Sequence, residues 1–311
     1  MRRRMLGKTG LKVTELALGT WGLSGDGYGA VSVDEQKAVI ERARSQGITL
    51  FETADSYGSG QMEALLGEKL GSDKEALIAT KLGTDRERSA KRFDVAYLAE
   101  ALKRSQDRLR REQIDIVLLH NPSPETIREG SATAWLQEQV KSGSITAWGV
   151  SVTGKEAAEA ALDQSAPILS FPYNVFNQKA VKELGPRLKK DGTGVLAHSV
   201  LLYGLLCSQW PNDKVFDEGD HRRDRWSSDE LKTRIVHLNA LRPLVSGTIP
   251  TMRAAALRFA LCNPRVKSVI LGPRSVQQLD QLVREAGKPP YVTETQLTAL
   301  ENRLSSLGAG A

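Results

Sequence analysis

Leu18-Gly19-Thr20-Trp21-Gly22-Leu23-Ser24-Gly25 is the stretch that decides between two architectures. It follows a short apolar run at 15–19 that reads as a strand. It precedes a helix opened by Ser32-Val33-Asp34-Glu35, which has the spacing of a capping box. An open, doubly wound sheet that binds a dinucleotide would carry G-x-G-x-x-G here, because a tight turn and close backbone approach to the pyrophosphate require it. Gly19, Gly22 and Gly25 do not fall on that pattern. The remaining architecture for alternating strands and helices is a closed (β/α)8 barrel.

Working outward, eight runs read as strands, at 15–19, 49–52, 76–81, 114–120, 145–150, 168–172, 194–197 and 268–271. Ile114-Asp115-Ile116-Val117-Leu118-Leu119 is nearly continuous in apolar residues, as expected of a parallel strand covered on both faces. Helical patterns lie between the runs. Gly47 closes the first, 91–111 holds a long amphipathic one with Leu98, Leu102 and Leu109, and Gly143 ends the helix before the fifth strand. A last helix at about 293–307 has no strand after it and is expected to pack across one barrel end. The reading is one α/β domain over 1–311, with a long connection at about 208–231 after the seventh strand. Connections of that length inside a compact domain are usually functional lids or disordered insertions.

Bulk properties narrow the function. The apolar share of 40% and charged share of 26% are ordinary for a globular chain. A net charge of +6, without a dense basic patch and interleaved aromatics, argues against nucleic acid. The two cysteines, Cys207 and Cys262, sit in apolar stretches without metal-ligand spacing, so a reducing compartment and no metal are expected. Lys8, Thr9, Gly10 and Lys12 interrupt the run that a signal peptide would need, and no run of about 18 apolar residues offers a membrane span. A cytoplasmic location is the expectation. Oligomeric state is not legible.

In a barrel, residues at the carboxyl ends of different strands converge on one mouth. There the sequence places Glu52 at the end of strand two with Tyr57 just after it, Lys81 at the end of strand three and His120 at the end of strand four. Hydride transfer to a carbonyl leaves an alkoxide that must be protonated. A free tyrosine, with a pKa of about 10, is a poor shuttle unless an adjacent ammonium favours its phenolate. Lys81 supplies that charge, Glu52 holds Lys81, and His120 orients the substrate oxygen or relays a proton. Trp21, Tyr28 and Trp226 are the aromatics expected to line the substrate pocket.

The chain resembles the aldo-keto reductase family from end to end. The resemblance is carried by Leu6-Gly7-Lys8-Thr9-Gly10-Leu11-Lys12-Val13, Leu18-Gly19-Thr20-Trp21, 51–58, Thr80-Lys81, 114–122, Gly149-Val150-Ser151, Tyr173-Asn174, Gly204-Leu205-Leu206 and 271–279. It implies an N-terminal β-hairpin plugging the barrel bottom, a tetrad of Tyr57, Lys81, His120 and the carboxylate Glu52, and NADP(H) bound without a Rossmann domain, with NAD(H) the other option. The implied cofactor positions are Gly19, Thr20, Trp21, Ser151, Ser170, His198, Ser199, Leu201, Gly204, Gly272, Arg274 and Gln278, with Arg274 at the 2′-phosphate. The substrate is a small carbonyl or alcohol.

The sequence departs from the family at several of these positions. Glu52 replaces the usual aspartate, Val152 the asparagine that often follows the serine, and Ser170 a glutamine. His198 replaces the ring that stacks on the nicotinamide, and Gln281-Leu282 an adenine-side Glu-Asn pair. These departures keep a second expectation open: a cofactor-binding redox sensor or regulatory subunit with weak or no turnover.

Overall fold

A computed structural model of the chain describes residues 1–207, 210–211 and 213–307. The strands are β1 (Arg3–Met5), β2 (Lys12–Thr14), β3 (Leu16–Gly19), β4 (Leu50–Glu52), β5 (Leu77–Leu82), β6 (Thr84–Asp85), β7 (Ala90–Lys91), β8 (Ile114–His120), β9 (Ile145–Ser151), β10 (Ile168–Pro172), β11 (Gly194–His198) and β12 (Val266–Leu271). Eight of them close a barrel in the order β3-β4-β5-β8-β9-β10-β11-β12, with β12 returning to β3. Every neighbouring pair is parallel. These are the eight runs expected from the sequence, with ends shifted by two residues at most.

The continuous apolar character of β8 now has a physical cause. Ile116 and Leu118 point inward and pack with Ala17, Leu50, Ala79, Ala147, Ile168, Leu196 and Ile270. Val117 and Leu119, on the alternate positions, belong to the second core beneath the helices. That outer layer consists of α1 (Val33–Ser45), α2 (Gln61–Leu70), α3 (Val95–Leu109), α4 (Pro124–Glu129), α5 (Ser131–Lys141), α6 (Lys155–Asp163), α7 (Lys179–Asp191), α8 (Ser228–His237), α9 (Met252–Cys262), α10 (Val276–Ala286) and α11 (Glu294–Ser306).

The antiparallel β1–β2 hairpin closes the barrel bottom. Leu6 and Val13 are fully buried in the inner core, a burial that contributes roughly 1.5–3 kcal/mol for each side chain. Gly7, at φ +56°, is required at this plug because a Cβ there would lie 2.4 Å from the Gly192 carbonyl oxygen. Arg4 ties the hairpin down through Glu15 and the carbonyls of Val266 and Leu261.

Several local expectations change. The capping box of α1 is half formed: Ser32 accepts from the Glu35 amide, but the Glu35 carboxylate instead accepts from the Val276 amide at the start of α10. The helix expected over 91–111 spans only Val95–Leu109, capped by Asp94. The preceding residues form a separate two-stranded sheet, β6–β7. The terminal helix α11 lies against the turns Leu238–Ala240 and Arg242–Leu244 and reaches α7 through Lys182–Glu301, beside the helical layer. The long connection is shorter than expected, because α8 begins at Ser228 with a complete Ser227–Glu230 capping box. Ser208, Gln209 and Asn212 of that connection lie outside the described residues.

Candidate active site

The barrel register sets the site. Gly19 pairs with Glu52, Lys81 with Leu118, His120 with Ser151, and Ser151 with Ser170, so the carboxyl ends of the strands present these residues along one rim. Thr20 fastens the first two strand ends together. Its amide donates to the Glu52 carbonyl at 2.9 Å, and its hydroxyl donates to Thr53 Oγ1 at 2.9 Å.

Lys81 is the centre of the arrangement, with 3% of its surface exposed. Its ammonium donates to the Thr53 carbonyl at 2.8 Å and to the Tyr57 hydroxyl at 3.1 Å, and it pairs with the buried Glu52 carboxylate. Burial works against the charge on Lys81, but Glu52 and then Tyr57 outweigh it and hold the ammonium above its ordinary range. Burial pushes the Tyr57 phenol up to about 12, and Lys81 pulls it partway back. Tyr57 is therefore a phenol, and so a proton donor, at neutral pH. The His120 ring meets the Tyr57 ring edge-on at 6.0 Å. Burial, then the charges of Lys81 and Lys91, keep that imidazole neutral, well below its usual value.

Gly19, the β3 partner of Glu52, has no room for a side chain. A Cβ there would lie 2.5 Å from Ile270 Cγ2 and 3.3 Å from Glu52 Oε2. The bare Gly19 backbone thus leaves free the space beside the Glu52 carboxylate that pairs with Lys81.

Next to the tetrad, polar groups converge from β9, β10 and β11. Ser151 Oγ donates to Asn121 Oδ1 at 2.7 Å, and Asn174 Nδ2 donates to the Ser199 carbonyl at 3.0 Å. Ser170 Oγ is buried without a hydrogen-bond partner. An orphaned hydroxyl beside Ser151 suits an amide such as the nicotinamide carboxamide, which can both donate and accept. His198 Nδ1 lies 3.0 Å from Ser199 Oγ, and burial lowers its pKa to about 3, so it offers a neutral planar ring. The backbone after β11 is tightly wound, with positive φ at Ser199, Leu202, Tyr203 and Gly204, and Leu201 half-buried among them. After β12, beyond Gly272, the Arg274 amide donates to Gln278 Oε1, and its guanidinium donates to the carbonyls of Gly29 and Ala30. Arg274 Nε is buried without a partner. The donor set thus fits a dinucleotide at both the amide and the anionic end.

Three loops meet over this rim. The Trp21 ring packs on Tyr28 at 5.1 Å and on His221 at 4.8 Å, and the His221 amide donates to the Gly27 carbonyl at 2.9 Å. Trp226 stands one ring further out, joined through Tyr203 at 6.1 Å. Arg222 and Arg225 lie over Tyr28 and Tyr203, at 4.9 and 3.7 Å from the ring centroids. Trp21 and Tyr28 are thus brought together, whereas Trp226 reaches them only through intermediaries. Sequence reasoning missed Asn121, Asn174, Tyr203 and His221 as members of the site. The aromatic density of 203–226 was the one signal that could have pointed to the last two.

Comparison with known proteins gives a consistent set. A model described as the Aldo/keto reductase family matches residues 15–298. A "Probable voltage-gated potassium channel subunit beta" of Arabidopsis thaliana is 26% identical, over 98% of this chain and 97% of that protein. Aldo-keto reductase YhdN of Bacillus subtilis is 27% identical, over 92% and 89%. The solved structure of the glycerol dehydrogenase AKR11B4 from Gluconobacter oxydans superposes with a TM-score of 0.83 at 26% identity, over 98% and 95%.

Proposed function

Because the chain belongs to the aldo/keto reductase family, we propose that it is an NADP(H)-dependent oxidoreductase that interconverts a small carbonyl compound and its alcohol. The observation that carries this reading is the buried contact of the Lys81 ammonium with the Tyr57 hydroxyl at 3.1 Å, with Glu52 on the other side of Lys81. The bound nicotinamide would supply or accept the hydride. Ser151, Ser170 and Asn174 would hold its amide, His198 its ring face, and Arg274 with Gln278 its phosphate end.

In the reducing direction Tyr57 gives its hydroxyl proton to the oxygen of the former carbonyl as the alkoxide forms. The phenolate left behind lies against the Lys81 ammonium, which offsets its charge at short range in a buried setting. Glu52 keeps Lys81 charged throughout. His120, neutral and beside Tyr57, donates a hydrogen bond to the same oxygen and so fixes where the carbonyl sits. In the oxidising direction the same phenolate takes the alcohol proton. Trp21 and Tyr28 form the apolar wall of the substrate pocket and Trp226 stands at its outer edge, which suits aldehydes, ketones, and sugars or other polyols presenting one apolar face.

Titration of tryptophan fluorescence with NADPH and NADH, on the protein and on Arg274→Ala, tests the cofactor reading. NADPH should bind more tightly than NADH, and the variant should lose about tenfold or more for NADPH alone, the weight of one charge-assisted hydrogen bond. Equal affinities in both proteins would remove Arg274 and the NADP(H) preference. Binding of neither nucleotide would end the reading. The match to a potassium channel beta subunit over 98% of the chain favours a second reading, a cofactor-binding regulatory subunit. On that reading Tyr57→Phe would leave partner binding intact.

A further inference from the structure

Two side chains beside His120 have no part in the reaction described above. Thr84 and Lys91 are paired positions of the β6–β7 hairpin. Lys91 Nζ donates to Thr84 Oγ1 at 2.7 Å and to the His120 carbonyl at 2.8 Å. Thr84 Oγ1 lies 3.1 Å from His120 Nδ1. An ammonium can only donate, so the Thr84 oxygen receives from Lys91, which leaves the hydroxyl hydrogen and one further lone pair available toward the ring. A ring nitrogen that accepts a hydrogen bond is bare, and in a neutral imidazole the proton then sits on the other nitrogen. The Lys91 charge on the same oxygen also favours a lone pair over an N–H at Nδ1.

The hairpin is a fixed element. The Asp85 carboxylate accepts from the Arg88 amide and from Arg92. Arg86 donates to the Ser56 carbonyl at 2.7 Å, and Ser56 is the residue before Tyr57. The hairpin therefore touches the segments that carry both His120 and Tyr57.

We propose that the β6–β7 hairpin positions His120 for the reaction: Lys91 orients the Thr84 hydroxyl, Thr84 donates to Nδ1, and the ring is held as the tautomer with its proton on Nε2, the donor left for the substrate oxygen. This rests on the reading of His120 as the group that orients that oxygen. Thr84 and Lys91 are positioning residues that act through the ring. The neutrality of the His120 ring makes a single tautomer meaningful.

The chain has four histidines, so a nitrogen–proton correlation spectrum of the 15N-histidine-labelled protein near neutral pH, with His120→Gln for assignment, reads the ring directly. The expected spectrum has a bare Nδ1 and a protonated Nε2 in His120. Thr84→Val keeps the side-chain shape and removes the hydroxyl. It should populate the other tautomer and lower kcat for a small aldehyde with NADPH by about tenfold, the weight of one hydrogen bond, with KM for NADPH unchanged. Thr84→Ser should restore both readouts. Lys91→Met should shift the tautomer in the same direction and serves if Thr84→Val folds poorly. A His120 ring protonated on Nδ1 in the unaltered protein, or an unchanged tautomer in Thr84→Val and Lys91→Met, would overturn the inference. The spectrum needs no turnover. A protein that reduces no carbonyl would therefore defeat the proposed function, while the spectrum still decides the role of the hairpin.

Discussion

Glu52→Gln keeps the shape of the side chain and removes its charge. Lys81, 3% exposed, would then keep only the Thr53 carbonyl, the Tyr57 hydroxyl and a neutral amide around its ammonium. At an ion-pair distance of about 3 Å and an effective dielectric of about 20, the carboxylate contributes about 5 kcal/mol toward keeping Lys81 charged. The amide returns about 1 kcal/mol as a hydrogen bond. Removing one partner of a buried pair in this way costs roughly 3–5 kcal/mol of stability.

The pH dependence of that loss identifies its cause. In the unaltered protein the folded Lys81 value is raised, so its contribution is present below the unfolded value and is lost as pH rises through the folded one. In the variant, burial is opposed only by Tyr57 and by neutral hydrogen-bond partners, so the folded chain releases a proton that the unfolded chain holds up to about pH 10.4. Stability of the variant therefore rises with pH in the alkaline range, and the gap between the two proteins narrows. Urea unfolding at neutral pH and at about pH 9.5, beside steady-state turnover, measures both effects. We expect the full loss at neutral pH, a smaller one at alkaline pH, and a fall in kcat of about a hundredfold or more, since proton transfer by a positioned group is worth roughly 10²–10⁴. Glu52→Asp keeps the charge but retracts it by about 1 Å, so a fall of up to about a hundredfold is expected without the pH signature. A Gln variant with native stability at neutral pH and native kcat would refute the reasoning.

Other consequences follow from the same geometry. With the Tyr57 phenol pushed up to about 12, the reductive rate should stay level through neutral pH and fall only in the alkaline range, whereas the oxidative rate should climb across that range; an oxidative rate already level at neutral pH would contradict it. Asp55, raised to about 7 by burial and then by Glu63, destabilises the folded state as pH rises from about 4 to 7, because the unfolded chain ionises first. Asp55→Asn should therefore raise Tm most above pH 7, with the gain shrinking toward pH 4, and an equal shift at all pH values would exclude this cause. Gly19→Ala brings a Cβ to 2.5 Å from Ile270 and 3.3 Å from Glu52. It should cost about 1–3 kcal/mol in denaturant unfolding, the range of an overpacked core, together with a loss of kcat.

The barrel was legible because its signal is redundant. Eight apolar runs at regular spacing, each bounded by polar residues or glycine, leave few alternatives, and β8 shows why, with both of its faces buried. Glu52, Tyr57, Lys81 and His120 were legible because they stand at or just beyond strand ends, where barrel register fixes neighbours. Partners set by loops were not. Glu35 deserts its own helix cap for Val276, which lies far along the chain, and no local pattern encodes that choice. Thr84 and Lys91 sit in a hairpin of two-residue strands, too short for a periodic signal. The His221–Trp21 contact depends on the path of a long connection, and its residue types alone do not reveal what they pack against.

The central claim is that Tyr57 is the proton donor of a working oxidoreductase. Its most direct test is NADPH oxidation, followed by absorbance across a panel of aldehydes, ketones and sugars, and glycerol oxidation with NADP⁺, for the unaltered protein and Tyr57→Phe. The account predicts turnover of at least one substrate by the unaltered protein, a fall of roughly 10²–10⁴ in Tyr57→Phe, and an unchanged Kd for NADPH. Equal turnover in the two proteins would contradict the assignment of Tyr57, and no turnover by the unaltered protein across the panel would contradict the enzyme itself.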